Sequence, residues 1–343
     1  MFCRKDRFIQ PGIPGVQNRK RLRMAKTEHP TCPAGFKTSI GGQAIIEGVM
    51  MKGPKKTVMS VRKPDGSIVQ EGWDNPPRRW YQKVPLVRGI ASFILSLTDG
   101  YKCLMRSAEL ATDGIEDENP SKFDKWLEEK FGDKLVKAVG YISMVLGLCI
   151  AALLFMYLPA QIVTLLRGLA PDAPRWALSL GEGVIKLGIF IGYMALVSLM
   201  PDMRRMFAYH GSEHKTIACF EAGEELTVEN VRKHTRFHPR CGTSFLFLVL
   251  FISIVLSTVV TWDSLALRVA LKILMLPLTM AIAYELIRLA GRYDNLFTRI
   301  VSWPGLQVQR LTTKEPDDSM IEVAIASMKA VLPENREDAV WGQ

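Results

Sequence analysis

The sequence predicts a mainly α-helical integral membrane protein with about four transmembrane helices and a cytoplasmic α+β portion. Three observations predict it. Long stretches of the 343-residue chain carry no charge, and Lys and Arg concentrate on alternate sides of those stretches. Outside them, one region alternates β-branched and polar residues around a Pro-Asp-Gly turn. Bulk composition decides little, because a hydrophobic fraction of 48% is ordinary for a soluble protein.

In residues 1–39, Arg4, Lys5, Arg7, Arg19, Lys20, Arg21 and Arg23 oppose only Asp6 before Met24. The segment reads as a basic disordered arm, or as a mis-assigned start ahead of Met24, and it lacks an apolar run long enough for a signal peptide. Residues 40–137 read as a cytoplasmic segment. Thr57–Trp73 has the alternation and turn of a β-hairpin. Just before it, "IGGQAIIEGVMMKGP" sets Gly41, Gly42, Gly48 and Gly53 around Glu47. Such glycines mark bulges or close backbone approach, and composition favours an irregular packed loop. The apolar run from Ile90 is too short to cross a bilayer, so an interfacial amphipathic helix is expected there. A charged helix should follow around residues 121–137.

Residues 138–291 form the expected transmembrane region, with spans at about 138–166, 177–200, 243–262 and 265–290. The first and third are uncharged. The second carries Glu182 and Lys186, and the fourth carries Arg268, Lys272, Glu285 and Arg288. Those charges lie toward helix ends, from which side chains can snorkel to the headgroups. Pro159 and Pro277 are better tolerated in membrane helices than in soluble ones. The loop at 201–242 holds Arg204, Arg205, Lys215, Arg232, Lys233, Arg236 and Arg240, whereas the other two inter-span loops are short and poor in Lys and Arg. The positive-inside rule therefore predicts a multi-pass protein of the cell (inner or plasma) membrane, with both termini and the 201–242 loop cytoplasmic. In the tail, residues 292–343, Asp317 and Asp318 precede apolar residues at helical spacing, which predicts a helix that needs a partner surface.

The net charge of +10 reads as attraction to anionic lipid headgroups at the bilayer rather than to nucleic acid. Six scattered cysteines lack the spacing of a disulfide framework. A transporter would more often show broken helices in repeated halves, and no such symmetry is visible.

Histidine is scarce: the chain has five, and four of them, His210, His214, His234 and His238, fall in one window with Cys241. Residues 210, 214, 217 and 221 share a helix face. His210-Gly-Ser-Glu213-His214 also matches H-x-x-E-H, in which two histidines bind zinc and the glutamate activates water. The "HPRCG" stretch, 238–242, has the shape of a zinc knuckle with His in place of the first Cys. The candidate ligands of a divalent metal, zinc by donor type, are thus His210, His214, His238 and Cys241. His234 is a substitute ligand or outer partner, Glu213 the candidate general base, and Glu221 a partner that orients an imidazole. Glu285 is either a downstream third ligand or the ion-pair partner of Arg288.

The stretches "GGQAIIEGVMMKGP", "VPLVRGI", "YHGSEHKTIACFE", "HPRCGTSF" and "PGLQVQRLTTKEPDD", in this order between about Ile40 and Ala330, resemble the YqhQ-like family of bacterial membrane proteins, a family of unknown function. The resemblance implies an integral membrane protein sometimes described as a predicted metal-dependent enzyme, and it brings no substrate with it. It also implies that the Gly-rich stretch sits at the site, with Glu47 as a further ligand or base. Two functions follow as expectations. One is a metal-dependent hydrolase acting on a membrane lipid or membrane protein. The other is a non-enzymatic membrane scaffold or assembly factor with a structural metal.

Overall fold

A computed structural model describes residues 36–77, 79–113, 142–168, 172–259, 265–293, 295–334 and 336–339. The basic arm up to residue 35 and the charged helix expected at 121–137 lie outside these residues.

Four strands, β1 (Gly41–Ile45), β2 (Gly48–Lys52), β3 (Lys56–Arg62) and β4 (Ile68–Asp74), form an antiparallel sheet in sequence order. The β3–β4 hairpin is the one the alternation predicts, and Gly66 takes the positive φ of its turn, +84°. The stretch expected as an irregular loop is instead the β1–β2 hairpin, in register from Gly41↔Lys52 to Ile45↔Gly48. Its glycines misled because they serve backbone contact rather than flexibility. A Cβ on Gly48 would lie 2.2 Å from the Ser60 carbonyl oxygen of the neighbouring strand.

Strand alternation gives the sheet two buried faces. Ile45, Met50, Met59 and Val61 pack on Cys103 and Leu110 of α1 (Val87–Thr112). Val49, Met51 and Val58 pack on the opposite side against α5 (Pro201–Glu221) and α10 (Asp318–Val331), through Tyr209, Ile217, Ile321, Ala324 and Met328. The tail helix thus starts as expected: Asp317 caps it by accepting the Met320 amide at 2.9 Å, and the sheet and α5 are its partner surface. The segment expected as a loop at 201–242 is largely helical, with α5 followed by α6 (Val228–Lys233).

Among the described residues, three helices are long and apolar enough to cross a membrane: Ile142–Arg167, Trp176–Val197 and Val269–Arg292. The first comprises α2 (142–152) and α3 (Leu158–Arg167), joined by a π-helical turn at Leu153–Tyr157. The turn contains Phe155, four residues before Pro159, whose ring would clash with an ordinary helical carbonyl at that position. Only 6% of its most apolar window is covered by protein, and Leu148 and Leu165 stand more than two-thirds exposed. A surface of this kind marks contact with a membrane or with another protein. The other two spans lie within α4 (Arg175–Val197) and α8 (Leu265–Arg292). Where the third of four spans is expected, α7 (Gly242–Val259) carries an apolar helix, Gly242–Thr258, that is shorter than the other three. Residues 260–264 lie outside the described set.

The intramembrane charges behave differently from the snorkelling expected of them. Glu182 and Lys186 are buried, and Glu182 forms an ion pair with Lys272 of α8. Packing among the helices closes these groups off, so pairing between helices replaces hydration. Glu285 is likewise not paired to Arg288. It accepts from both Nε (2.7 Å) and Nη2 of Arg88 and from the Leu86 amide at 3.2 Å. Beside this pair, Gly89 of α1 meets Ala281 and Tyr284 of α8 closely enough that a Cβ would sit 2.9 Å from the tyrosine Cβ. This contact fastens α1 to the span. Helix α9 (Leu296–Thr312), which periodicity does not announce, follows and packs on α7.

Candidate metal centre

Helix α5 carries His210, Glu213 and His214, and helical spacing puts both imidazoles on one face, with ring centroids 4.4 Å apart. Each ring is fixed through Nδ1. His210 donates to the Thr312 carbonyl at 2.9 Å and His214 to the Arg236 carbonyl at 2.6 Å. Those bonds select one tautomer and leave Nε2 as the atom presented to the site, the usual outer arrangement of a metal-binding histidine. Cys241, just ahead of α7, supplies the third group: its Sγ is 3.1 Å from His210 Nε2. One ligand atom from each of His210, His214 and Cys241 falls within 4.8 Å of the others. Tetrahedral bonds of about 2.0–2.3 Å place neighbouring ligands about 3.3–3.8 Å apart, so only small shifts would be needed to close on an ion.

The electrostatics suit a cation. Burial raises the Cys241 thiol, but the adjacent imidazoles of His210 and His214 overcome it and hold the group well below its ordinary range. The amide of Thr243 (3.4 Å) and its hydroxyl (3.2 Å) also reach the sulfur. Burial is the largest influence on His210 as well, and it acts downward. The sulfur of Cys241 reverses it and holds the imidazole at about 9. A thiolate and an imidazole thus share a proton where a divalent ion would replace it.

A cavity of about 120 Å³ opens beside these three residues, walled by Ser39–Gly42, Glu213, Ile217, His238 and Arg240. Glu213 is 4% exposed, and its Oε2 is buried with no hydrogen-bond partner among the described residues. Burial raises its pKa, against the pull of His214 and His210. The Gly-rich hairpin reaches the site, as the resemblance implies, but through backbone rather than through Glu47. Gly42 lies so close that a Cβ there would sit 2.9 Å from Glu213 Oε1.

His238 faces the cavity, yet its ligand geometry differs from the expected one. Its Nε2 lies 3.2 Å from Arg240 Nη2, and it is not among the three converging ligands. Burial, then Arg240, keeps it well below its usual range, hence neutral, so its Nε2 accepts from the guanidinium. Arg240 is held by Glu221, which also accepts the Thr38 amide at 2.7 Å. Glu221 therefore reaches the imidazole through Arg240, at 4.0 Å from its ring nitrogen.

The remaining candidates lie elsewhere. Glu47, at the β1–β2 turn, pairs with Arg205 (Nη2, 2.6 Å) and with the Tyr209 hydroxyl at 3.3 Å. Its φ of +51° and the length of β1 carry it away from the cavity. Glu285 is engaged at the α1–α8 contact, and His234 lies beside Glu224.

Two residues that the motifs did not single out hold the site together. Gln309 of α9, fully buried, accepts the His238 amide at 2.8 Å and donates to the His238 carbonyl at 2.7 Å and to Ser244 Oγ at 2.8 Å. Thr312, three residues on, supplies the acceptor for His210. Both fall in the "PGLQVQRLTTKEPDD" stretch, the one signal that could have found them.

Over residues 84–334 the chain matches the family described as "Protein of unknown function (DUF1385)". It is 35% identical over 303 residues to the uncharacterized protein YqhQ of Bacillus subtilis (strain 168), a match covering 85% of this chain and 92% of that protein. No solved structure matches the chain. Family and relative agree with the motifs read from the sequence: the chain belongs to the DUF1385, YqhQ-like family.

Proposed function

We propose that the protein is a metal-dependent hydrolase of the cytoplasmic membrane face, acting on a membrane-associated substrate. The observation that carries this reading is the juxtaposition of three ligand atoms with a cavity lined in part by Glu213, whose Oε2 is buried without a hydrogen-bond partner among the described residues. Three protein ligands leave a tetrahedral ion one open position, the arrangement of catalytic rather than structural zinc. The N, N, S donor set suits zinc and excludes magnesium or calcium. A bound ion would supply the Lewis acidity that lets water attack at neutral pH. Glu213 would accept a proton from the attacking water, the Gly42 backbone limits the movement of its carboxylate, and neutral His238 and Arg240 line the cavity where a substrate would lie.

Membrane association of the substrate rests on position. Cys241 directly precedes the apolar helix α7, and α5 begins four residues after the span ending at Val197. In this reading α7 is a fourth, shorter span, both termini are cytoplasmic, and the basic 201–242 segment meets anionic headgroups.

Elemental analysis of detergent-purified protein tests the site. A His210→Ala, His214→Ala double variant should lose one equivalent of zinc relative to wild type. Equal metal content in the two would end the proposal. A second prediction concerns Gly42. Gly42→Ala should keep that equivalent but cut turnover, because the added methyl meets Glu213 Oε1 and, at 2.7 Å, the Met50 carbonyl oxygen. The overpacking costs about 1–3 kcal/mol unless the carboxylate moves. Unaltered turnover, measured beside wild type, would remove Gly42 from this role.

The alternative, a scaffold with a structural metal, draws on the knuckle geometry. It requires His238 as a fourth ligand, which its contact with Arg240 opposes.

A further inference from the structure

On the far side of α5 a second group of donors converges. Cys219 Sγ, a Glu224 carboxylate oxygen and a His234 ring nitrogen all lie within 4.8 Å of one another. Cys219 sits five residues beyond His214, a rotation of roughly 140° about the helix, so the two groups occupy different faces. We propose that Cys219, Glu224 and His234 form a second divalent-metal site, of zinc type, separate from the one at His210, His214 and Cys241.

Four observations carry this. His234 Nε2 is buried, has no hydrogen-bond partner among the described residues, and yet lies 3.3 Å from Glu224 Oε2. An imidazole nitrogen close to a carboxylate but not hydrogen-bonded to it is a costly arrangement for a buried polar atom, and an ion between the two would relieve it. Cys219 is fully buried, and among the described residues the one hydrogen bond of its thiol is a long one, 3.6 Å to the Glu225 carbonyl. One thiolate and one carboxylate neutralise a divalent charge, with a neutral imidazole as third donor. Finally, the sulfur, nitrogen and oxygen set fits zinc by softness, and half-exposed Glu224 gives the ion an entry path from solvent. Without an ion, burial keeps the Cys219 thiol protonated, its pKa raised to about 11; metal binding would release that proton.

The position of this group suggests its task. Cys219 lies in the last turn of α5, Glu224 in the turn that follows, and His234 directly follows α6. The chain from His234 runs through Arg236, whose carbonyl orients His214, to His238 and Cys241. An ion at the second site would clamp the start of the segment whose end supplies the first.

The test is zinc stoichiometry and affinity on the full-length protein in detergent, with zinc alone as probe and a chelator as competitor. Wild type should hold about two equivalents. Cys219→Ser, His234→Ala should hold one, and His210→Ala, His214→Ala should hold one. Wild type and the Cys219→Ser, His234→Ala variant binding the same number would overturn the second site. Because Cys219 lies in the core, that variant can fail to fold, so Glu224→Ala provides a surface substitution. It should weaken one equivalent at least about 10-fold, the scale of losing even an outer partner, and leave the other unchanged. Identical competition curves for Glu224→Ala and wild type would also overturn it. The two sites fail separately: a single equivalent lost only with His210 and His214 rejects the second site, and one lost only with Cys219 and His234 rejects the hydrolase centre.

Discussion

Replacing Glu213 by glutamine should leave zinc bound and abolish turnover. The side chain is not among the three converging ligands, so the amide, of equal size, keeps the helix packing and the donor set. What it loses is the capacity to accept a proton, and general-base groups contribute about 10²–10⁴-fold to rate. The measurement pairs metal content with an untargeted comparison of membrane lipids and peptides after incubation with either protein. A cleavage product that accumulates with wild type and not with Glu213→Gln is the expected outcome. A product formed equally by both would reject Glu213 as the base. A Glu213→Gln protein that has lost its zinc would instead make Glu213 part of the binding set.

Gly211→Ala should damage both the fold and the site. A Cβ at Gly211 would lie 2.0 Å from the carbonyl oxygen of Lys314, whose amide in turn donates to the Phe207 carbonyl at 2.8 Å. The segment leaving α9 therefore crosses α5 at its one residue without a side chain in that turn. Neither backbone can yield cheaply, so the cost should reach or exceed about 1–3 kcal/mol. The same segment holds Thr312, the acceptor that orients His210. If it is pushed away, His210 loses its fixed tautomer, and zinc affinity should fall by about 10–100-fold. Thermal unfolding in detergent and chelator competition together check this. Wild-type values in both would show that the crossing relaxes without consequence.

Some of the site was legible because it is local. The His210–His214 pair depends only on helical spacing, and the H-x-x-E-H pattern is complete within five residues. The Asp317 cap and the Pro-Asp-Gly hairpin are local in the same sense, since each needs only its near neighbours in the chain. The β1–β2 hairpin was not legible, because Gly42 and Gly48 answer to Glu213 and Ser60, partners outside their own strands. Neither reading of Glu285, as a third ligand or as the partner of nearby Arg288, could reach Arg88, which lies 197 residues away.

The sequence by itself determined that the chain has uncharged stretches fit for a bilayer, a helix with two facing imidazoles, and, outside those stretches, a β element and a tail helix in need of a partner surface. Periodicity and charge runs are properties of neighbouring residues and survive without a fold. Only the tertiary structure decided the membership of the site. It brought Cys241 to His210, turned His238 toward Arg240, sent Glu47 to Arg205, and set His234 with Cys219 instead of His214. Those choices depend on where α9, α10 and the Gly-rich hairpin pack against α5. Several donors of equal chemical aptitude lie in one short window, and which of them converge is fixed by contacts from distant segments, from Thr312, 102 residues away from His210, to the Gly-rich hairpin at Gly42.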